Sequence, residues 1–159
     1  MPGLWWEDFE VGAEAITGAR TLTHQDVIAF ADVSGDRNPL HLDEGYAAHG
    51  PFGRTVAHGL LGLAAASGLM EQSGLTAGTL VAFLGLEWSF RRPILPGDGV
   101  RVRMRVAHKR ASRDPGQGLV KLQLTLLNDR EETAQEGSFT VLVRRRAACG
   151  EVAGTPEAT

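Results

Sequence analysis

His58-Gly59-Leu60-Leu61-Gly62-Leu63-Ala64-Ala65-Ala66-Ser67-Gly68-Leu69-Met70-Glu71-Gln72 is the stretch on which the fold turns. Its side chains are apolar or small around the whole circumference of a helix until Glu71, the pattern of a buried helix rather than a surface one. Gly62 and Gly68 inside it each cost about 1 kcal/mol relative to alanine. Close packing of backbone against backbone would account for them. A sheet wrapped tightly around this helix is the expected arrangement.

The chain beyond the helix reads as strands. Leu80, Ala82, Leu84, Leu86, Trp88 and Phe90 alternate with less uniformly apolar neighbours up to the Pro93 and Pro96-Gly97 break. Val100, Val102, Met104 and Val106 alternate with Arg101, Arg103 and Arg105, giving one buried and one wet face. Val120, Leu122, Leu124 and Leu126 alternate with Lys121, Gln123 and Thr125, and Asn128-Asp129-Arg130-Glu131 turns the chain into a last strand over about 133–145. Residues 147–159, rich in Ala, Gly, Glu and Thr, are expected to be a disordered tail to a single domain over 1–146.

Before the helix, Trp5 and Trp6 form an aromatic entry that ends in a turn at Val11-Gly12, and Ile16 to Leu22 is a first strand. Thr23 has the character of an N-cap, with Asp26 placed to complete a capping box. Val27, Phe30, Ala31 and Ser34 then fall at helical spacing, so a short helix should run from about 24 to 34 and end at Gly35. Asp43 to Ala48 is one further helical turn, and Gly50-Pro51-Phe52-Gly53-Arg54 a loop. Helices followed by a run of antiparallel strands define an α+β fold. Such a sheet has exposed edges, and pairing them across a homodimer would manage that liability.

Composition narrows the function. The 159 residues suffice for one domain with a real core, and 43% apolar content with 22% charge excludes a mostly disordered chain. A formal charge of −3 and the lack of a long basic tract argue against nucleic acid, Arg144-Arg145-Arg146 being a solvated strand end. The single cysteine, Cys149, excludes an intramolecular disulfide and fits a reducing cytoplasm. The N-terminus has no basic start and no apolar signal core. No stretch reaches the roughly 20 apolar residues of a membrane span.

The chemistry lies in Ser34-Gly35-Asp36-Arg37-Asn38-Pro39-Leu40-His41. Pro39 fixes its own φ and pushes Asn38 toward extended conformations, while Gly35 readily takes the left-handed geometry that ends a helix. The segment is therefore expected to be a stiff, non-helical turn. Such a turn can hold the carboxylate of Asp36 and the imidazole of His41 on a common target, as general acid–base chemistry requires. Spacing alone also fits an ordinary Asx-type turn carrying a surface histidine.

With these residues in place, the chain resembles the MaoC-like branch of the hot-dog fold, which includes the R-specific enoyl-CoA hydratases. The likeness runs through Phe30-Ala31-Asp32-Val33-Ser34-Gly35-Asp36-Arg37-Asn38-Pro39-Leu40-His41, then Ala47 and Phe52, into Thr55-Val56-Ala57-His58-Gly59-Leu60-Leu61. It continues at Ser67, Trp88-Ser89-Phe90-Arg91-Arg92-Pro93 and Pro96-Gly97-Asp98, covering about 5–145. The resemblance implies a hot-dog domain whose curved antiparallel sheet wraps a long buried helix. It also implies a hydro-lyase that interconverts trans-2-enoyl and (R)-3-hydroxyacyl thioesters of CoA or an acyl carrier protein, without cofactor or metal.

On that resemblance Asp36 and His41 hold the reacting water and manage its protons, and the sequence does not decide which is the base. Gly59, at the helix N-terminus, would offer its N–H to the oxyanion of the thioester; it also reads as a packing glycine. Asn38 would secure the turn. Ser67 would bond Asp36 or the substrate region, or bond back to its own helix. His58 belongs to the helix entry, and a metal held by Asp36, His41 and His58 would need a convergence that spacing does not establish. Arg54, Arg91 and Arg92 could contact CoA phosphates or be solvated surface residues. Two other functions compete. A thioesterase on this fold commonly carries a carboxylate on or just before the helix, where only Glu71, near the far end, is available. A non-catalytic acyl-binding module needs neither Asp36 nor His41.

Overall fold

The computed structural model describes residues 3–146, so the tail expected over 147–159 lies outside the described residues. Helix α1 spans His24–Ser34 and is set at both ends by its sequence. The Asp26 N–H donates to Thr23 Oγ1 (3.1 Å), and the Thr23 N–H donates back to Asp26 Oδ2 (2.7 Å). The backbone N–H of Thr23, then its hydroxyl, hold the Asp26 carboxyl below its ordinary range against the opposing effect of burial, and Arg20 adds to this. Gly35 closes the helix at φ 77°, its N–H on Ala31 O.

The turn after Gly35 is not wholly non-helical. From Pro39 the chain makes one helical turn, α2 (Pro39–Leu42), capped by Asn38, whose Oδ1 accepts from the Leu40 N–H at 3.0 Å. Proline opens a helix at no cost in hydrogen bonding, because the N–H it lacks would have had no partner there. Helix α3 (Glu44–Ala48) comes at once, capped by Asp43.

Helix α4 runs Gly59–Gln72 and buries Leu61, Gly62, Ala65, Ala66, Leu69 and Met70. It is not enclosed all round. Leu60 (58% exposed), Ala64, Ser67 and Glu71 leave one open stripe at helical spacing. The two glycines also differ from expectation. A Cβ on Gly62 would lie 2.3 Å from Nε2 of Gln135, a side chain from the sheet rather than backbone, and a Cβ on Gly68 would meet nothing within 4 Å.

Six strands form one antiparallel sheet: β1 (Glu14–Ile16), β2 (Arg20–Thr21), β3 (Leu80–Phe90), β4 (Gly99–Ala111), β5 (Gln117–Asn128) and β6 (Thr133–Arg144). The order is β1-β4-β5-β6-β3, with β2 also on β4. The strand expected over 16–22 is thus two short pieces. Between them Thr17 donates its N–H to Val102 O (2.9 Å) while its Oγ1 accepts the Val102 N–H (3.0 Å), so a side chain takes one half of the ladder, and the register shifts by one residue before Arg20. Val100, Val102, Met104, Leu122, Leu124, Leu126, Phe139 and Val141 form the sheet's side of the core, against α4 and Phe9, Leu22 and Val27. This is the α+β hot-dog architecture, with one long helix laid on one antiparallel sheet.

Strand β3 departs from the half-buried pattern its alternation suggests. Among the described residues it lies at the sheet edge, paired only with β6, and exposes side chains of both parities, including Val81, Phe83, Leu84, Leu86 and Phe90. Trp6 pins the N-terminal segment to β5, in the middle of the sheet. Its indole N–H donates to Leu119 O (3.1 Å), and Lys109 and Arg145 each lie 4.6 Å from its ring. Among the described residues no helix is long and apolar enough to cross a membrane.

Candidate active site

Three elements meet at the start of α4: the Gly35–Asn38 turn, α2, and the His58-Gly59 helix entry. The turn is built locally. Ser34 Oγ donates to Phe30 O (2.6 Å) and accepts from the Asp36 N–H (3.1 Å), and Asp36 Oδ1 accepts from the Asn38 N–H (3.2 Å). Asp36 is exposed. One ligand-type atom from each of Asp36, His41 and His58 lies within 4.8 Å of the other two.

The two imidazoles have fixed roles. His41 Nδ1 lies 2.7 Å from Val56 O, and a carbonyl can only accept, so Nδ1 carries a proton and in the neutral ring Nε2 is the nitrogen with the lone pair. His58 Nε2 lies 2.9 Å from the backbone carbonyl of Asp36, so there Nε2 carries the proton. His58 is buried and its Nδ1 has no partner among the described residues. The rings stack with centroids 3.8 Å apart and planes at 31°, and Phe30 lies against His58 at 5.0 Å. His58 therefore links the two halves of the site: it holds the Asp36 main chain and supports the His41 ring.

Beside His41 opens a cleft of about 300 Å³, lined by Phe52, Val56, Ala57, Gly59, Phe90, Arg91, Arg92, Pro93, Ile94 and Gln135 as well as His41. The N–H groups of Gly59 and Leu60, in the first turn of α4, have no partner among the described residues. They carry the positive end of the helix dipole. Phe90 covers Gly59 so closely that a Cβ there would be 2.9 Å from the ring, so any larger residue would have to displace Phe90.

The remaining sequence candidates divide. Arg91 and Arg92 line the cleft, Arg91 paired with Glu136 (2.8 Å) and Arg92 near Glu132 (3.6 Å). Arg54 is exposed and is not among the lining residues. Ser67 is exposed on α4, and among the described residues it bonds neither Asp36 nor a helix carbonyl. Gln135 is a site residue that sequence reasoning missed. It is 2% exposed, donates from Nε2 to Gly59 O (3.0 Å) and accepts at Oε1 from the Trp88 indole (2.9 Å). A glutamine inside a strand of otherwise ordinary alternation was the only signal.

A hot-dog fold thus sets an imidazole beside a cleft at the amide end of its long helix, with the Asp36 carboxylate near the imidazole but not among the residues lining the cleft. The family model described as MaoC like domain matches residues 9–126, and the chain belongs to that family. It is 38% identical over 104 residues to a 3-hydroxybutyryl-CoA dehydratase of Methylorubrum extorquens, a match covering 65% of this chain. That match spans 64% of the relative, under two thirds of its length. Likewise it is 38% identical over 100 residues to an (R)-specific enoyl-CoA hydratase of Aeromonas caviae, covering 63% of this chain and 72% of that one. The solved MaoC-like dehydratase from Rhodospirillum rubrum superposes with a TM-score of 0.83 at 33% identity, over 92% of this chain and 100% of that one.

Proposed function

We propose that this protein is an acyl-thioester hydro-lyase that adds water to trans-2-enoyl-CoA to give (R)-3-hydroxyacyl-CoA, and runs the reverse reaction. The observation that carries the reading is the His41 ring, anchored through Nδ1 to Val56 O, with a ring nitrogen within 4.8 Å of an Asp36 carboxylate atom. In the hydration direction, His41 Nε2 takes one proton as the water oxygen bonds to Cβ. Asp36 accepts the other hydrogen of that water, orients it, and stabilises the imidazolium as it forms. His41 then returns its proton to Cα, so water is added across the double bond and the enzyme is unchanged. Negative charge that builds on the thioester oxygen is met by the Gly59 N–H. Asn38 holds the turn, Ser67 stays outside the proton chemistry, and no cofactor is needed. Arg91 and Arg92 keep guanidinium donors for the CoA phosphates, Arg54 being a more distant candidate; a carrier-protein thioester would present the same reacting group. A reducing cytoplasmic setting fits the chain's single cysteine.

The test is loss of the conjugated thioester absorbance of crotonyl-CoA and of longer 2-enoyl-CoAs, with free thiol followed in the same tubes. Hydration without thiol release is expected. Thiol release instead would favour a thioesterase, against which stands the place of Glu71, about 18 Å along α4 from Gly59. No reaction with tight acyl-CoA binding would favour the binding module.

The open edge of β3 supports a homodimer. Phe83, Leu84, Leu86 and Phe90 are each about half exposed on a strand with one unpaired side. A second copy, pairing edge to edge, would cover them together with unpaired N–H and C=O groups. Light scattering at micromolar concentration should give twice the 17.0 kDa chain mass. A monomeric mass would overturn the dimer.

A further inference from the structure

The geometry points to Gln135 as a positioning residue for the thioester site, holding the first turn of α4 through the Gly59 carbonyl. The inference rests on the hydro-lyase reading and adds a residue to it. An indole N–H can only donate, so the Gln135 atom 2.9 Å from Trp88 Nε1 is its oxygen. The amide nitrogen therefore faces Gly59 O, 3.0 Å away. Both ends of the amide agree on one orientation, and an amide only 2% exposed is costly unless it is bonded in this way.

The helix makes room for this amide. A Cβ at position 62 would come within 2.3 Å of Gln135 Nε2 and 2.8 Å of Cδ, so Gly62 leaves space that another residue would fill. A glycine in mid-helix weakens the helix, and here the glutamine occupies the vacated volume. The anchored residue has special need of a tether. Gly59 has no side chain, its N-cap His58 makes no side-chain capping bond, and its N–H is unpaired among the described residues. The other ties at the start of α4, the His58 bond to Asp36 O and the Ala57 N–H bond to Ile94 O, act before Gly59, whereas Gln135 grips the Gly59 carbonyl itself. A donor serving a developing oxyanion must be held to within about 0.5 Å. Trp88 on β3 and Gln135 on β6 tie that donor to the sheet.

The test uses the full chain, crotonyl-CoA as substrate, and the variants Gln135→Met and Trp88→Phe, singly and together. Gln135→Met keeps length and bulk but cannot donate, and Trp88→Phe keeps an aromatic ring but frees the glutamine oxygen. The expected result is a fall in kcat of about tenfold for Gln135→Met, counted per folded protein, as a charge-stabilising donor drifts. KM should stay within about twofold, because the interaction lost serves mainly the transition state. Trp88→Phe should lower kcat by less, and the double variant should be no worse than Gln135→Met alone. A purely structural role would lower the folded fraction and leave kcat per folded protein unchanged; that result overturns the inference. So would losses that multiply in the double variant. If Gln135→Met does not fold, Trp88→Phe decides by its own kcat. An active wild type with unimpaired variants overturns this inference alone, whereas an inactive wild type overturns the functional reading along with it.

Discussion

Asp36→Asn is expected to lower the turnover of crotonyl-CoA about a thousandfold, the scale of a lost acid–base partner, with little change in melting temperature. The reason is local. Asp36 is exposed, and among the described residues its one side-chain bond is acceptance at Oδ1 from the Asn38 N–H. An asparagine oxygen can accept the same bond, so the turn survives. On the proposed mechanism, what disappears is the negative charge that would orient the water and stabilise the His41 imidazolium. Surface changes of this kind usually alter stability by less than about 0.5 kcal/mol. Steady-state kinetics beside a thermal melt separates the two effects. Turnover within tenfold of wild type would remove Asp36 from the chemistry. His41→Asn should lose at least as much activity, but it also disturbs the bond to Val56 O, so it is the less clean variant.

Gly137→Ala is expected to be the most damaging change away from the chemistry. Gly137 on β6 pairs with Trp88 on β3, and a Cβ there would be 2.0 Å from the Glu87 carbonyl oxygen and 2.5 Å from Trp88 Cε3. The first obstacle is backbone within the ladder, so no rotamer change relieves it, and the strands must part. Overpacking of this kind costs about 3 kcal/mol. The damage falls on the junction that carries both Trp88 and Gln135, so activity should fall with stability. Urea unfolding measures the cost as a shift in midpoint at constant slope. A midpoint within error of wild type would show that β3 and β6 separate there more easily than their register implies.

Much of the scaffold around the site is legible because it is written locally. Thr23, Asp26 and Gly35 fix α1 by hydrogen bonds spanning a few residues. The apolar run after His58 fixes α4, and strict alternation fixes β4 and β5. Features set by distant partners are not legible. The break in the first strand falls where the Thr17 hydroxyl accepts from Val102, a partner 85 residues away. Strand β3 alternates like a half-buried strand, but exposure depends on what covers an edge, which alternation does not encode. Pro39 reads as a helix breaker, yet its position directly after Asn38 makes it a helix opener. At the site, Asp36 and His41 share one short segment, so their proximity can be foreseen. The bridging role of His58 and the pairing of Gly62 with Gln135 need the three-dimensional contacts between the turn, α4 and β6.

The central claim is tested most directly by the handedness of the product. Crotonyl-CoA incubated with the wild-type protein should yield 3-hydroxybutyryl-CoA that is oxidised by an R-specific 3-hydroxyacyl-CoA dehydrogenase and left untouched by an S-specific one. Formation of the R alcohol, with free CoA absent, is the predicted result. Formation of the S alcohol, release of free CoA, or unchanged crotonyl-CoA would contradict the account.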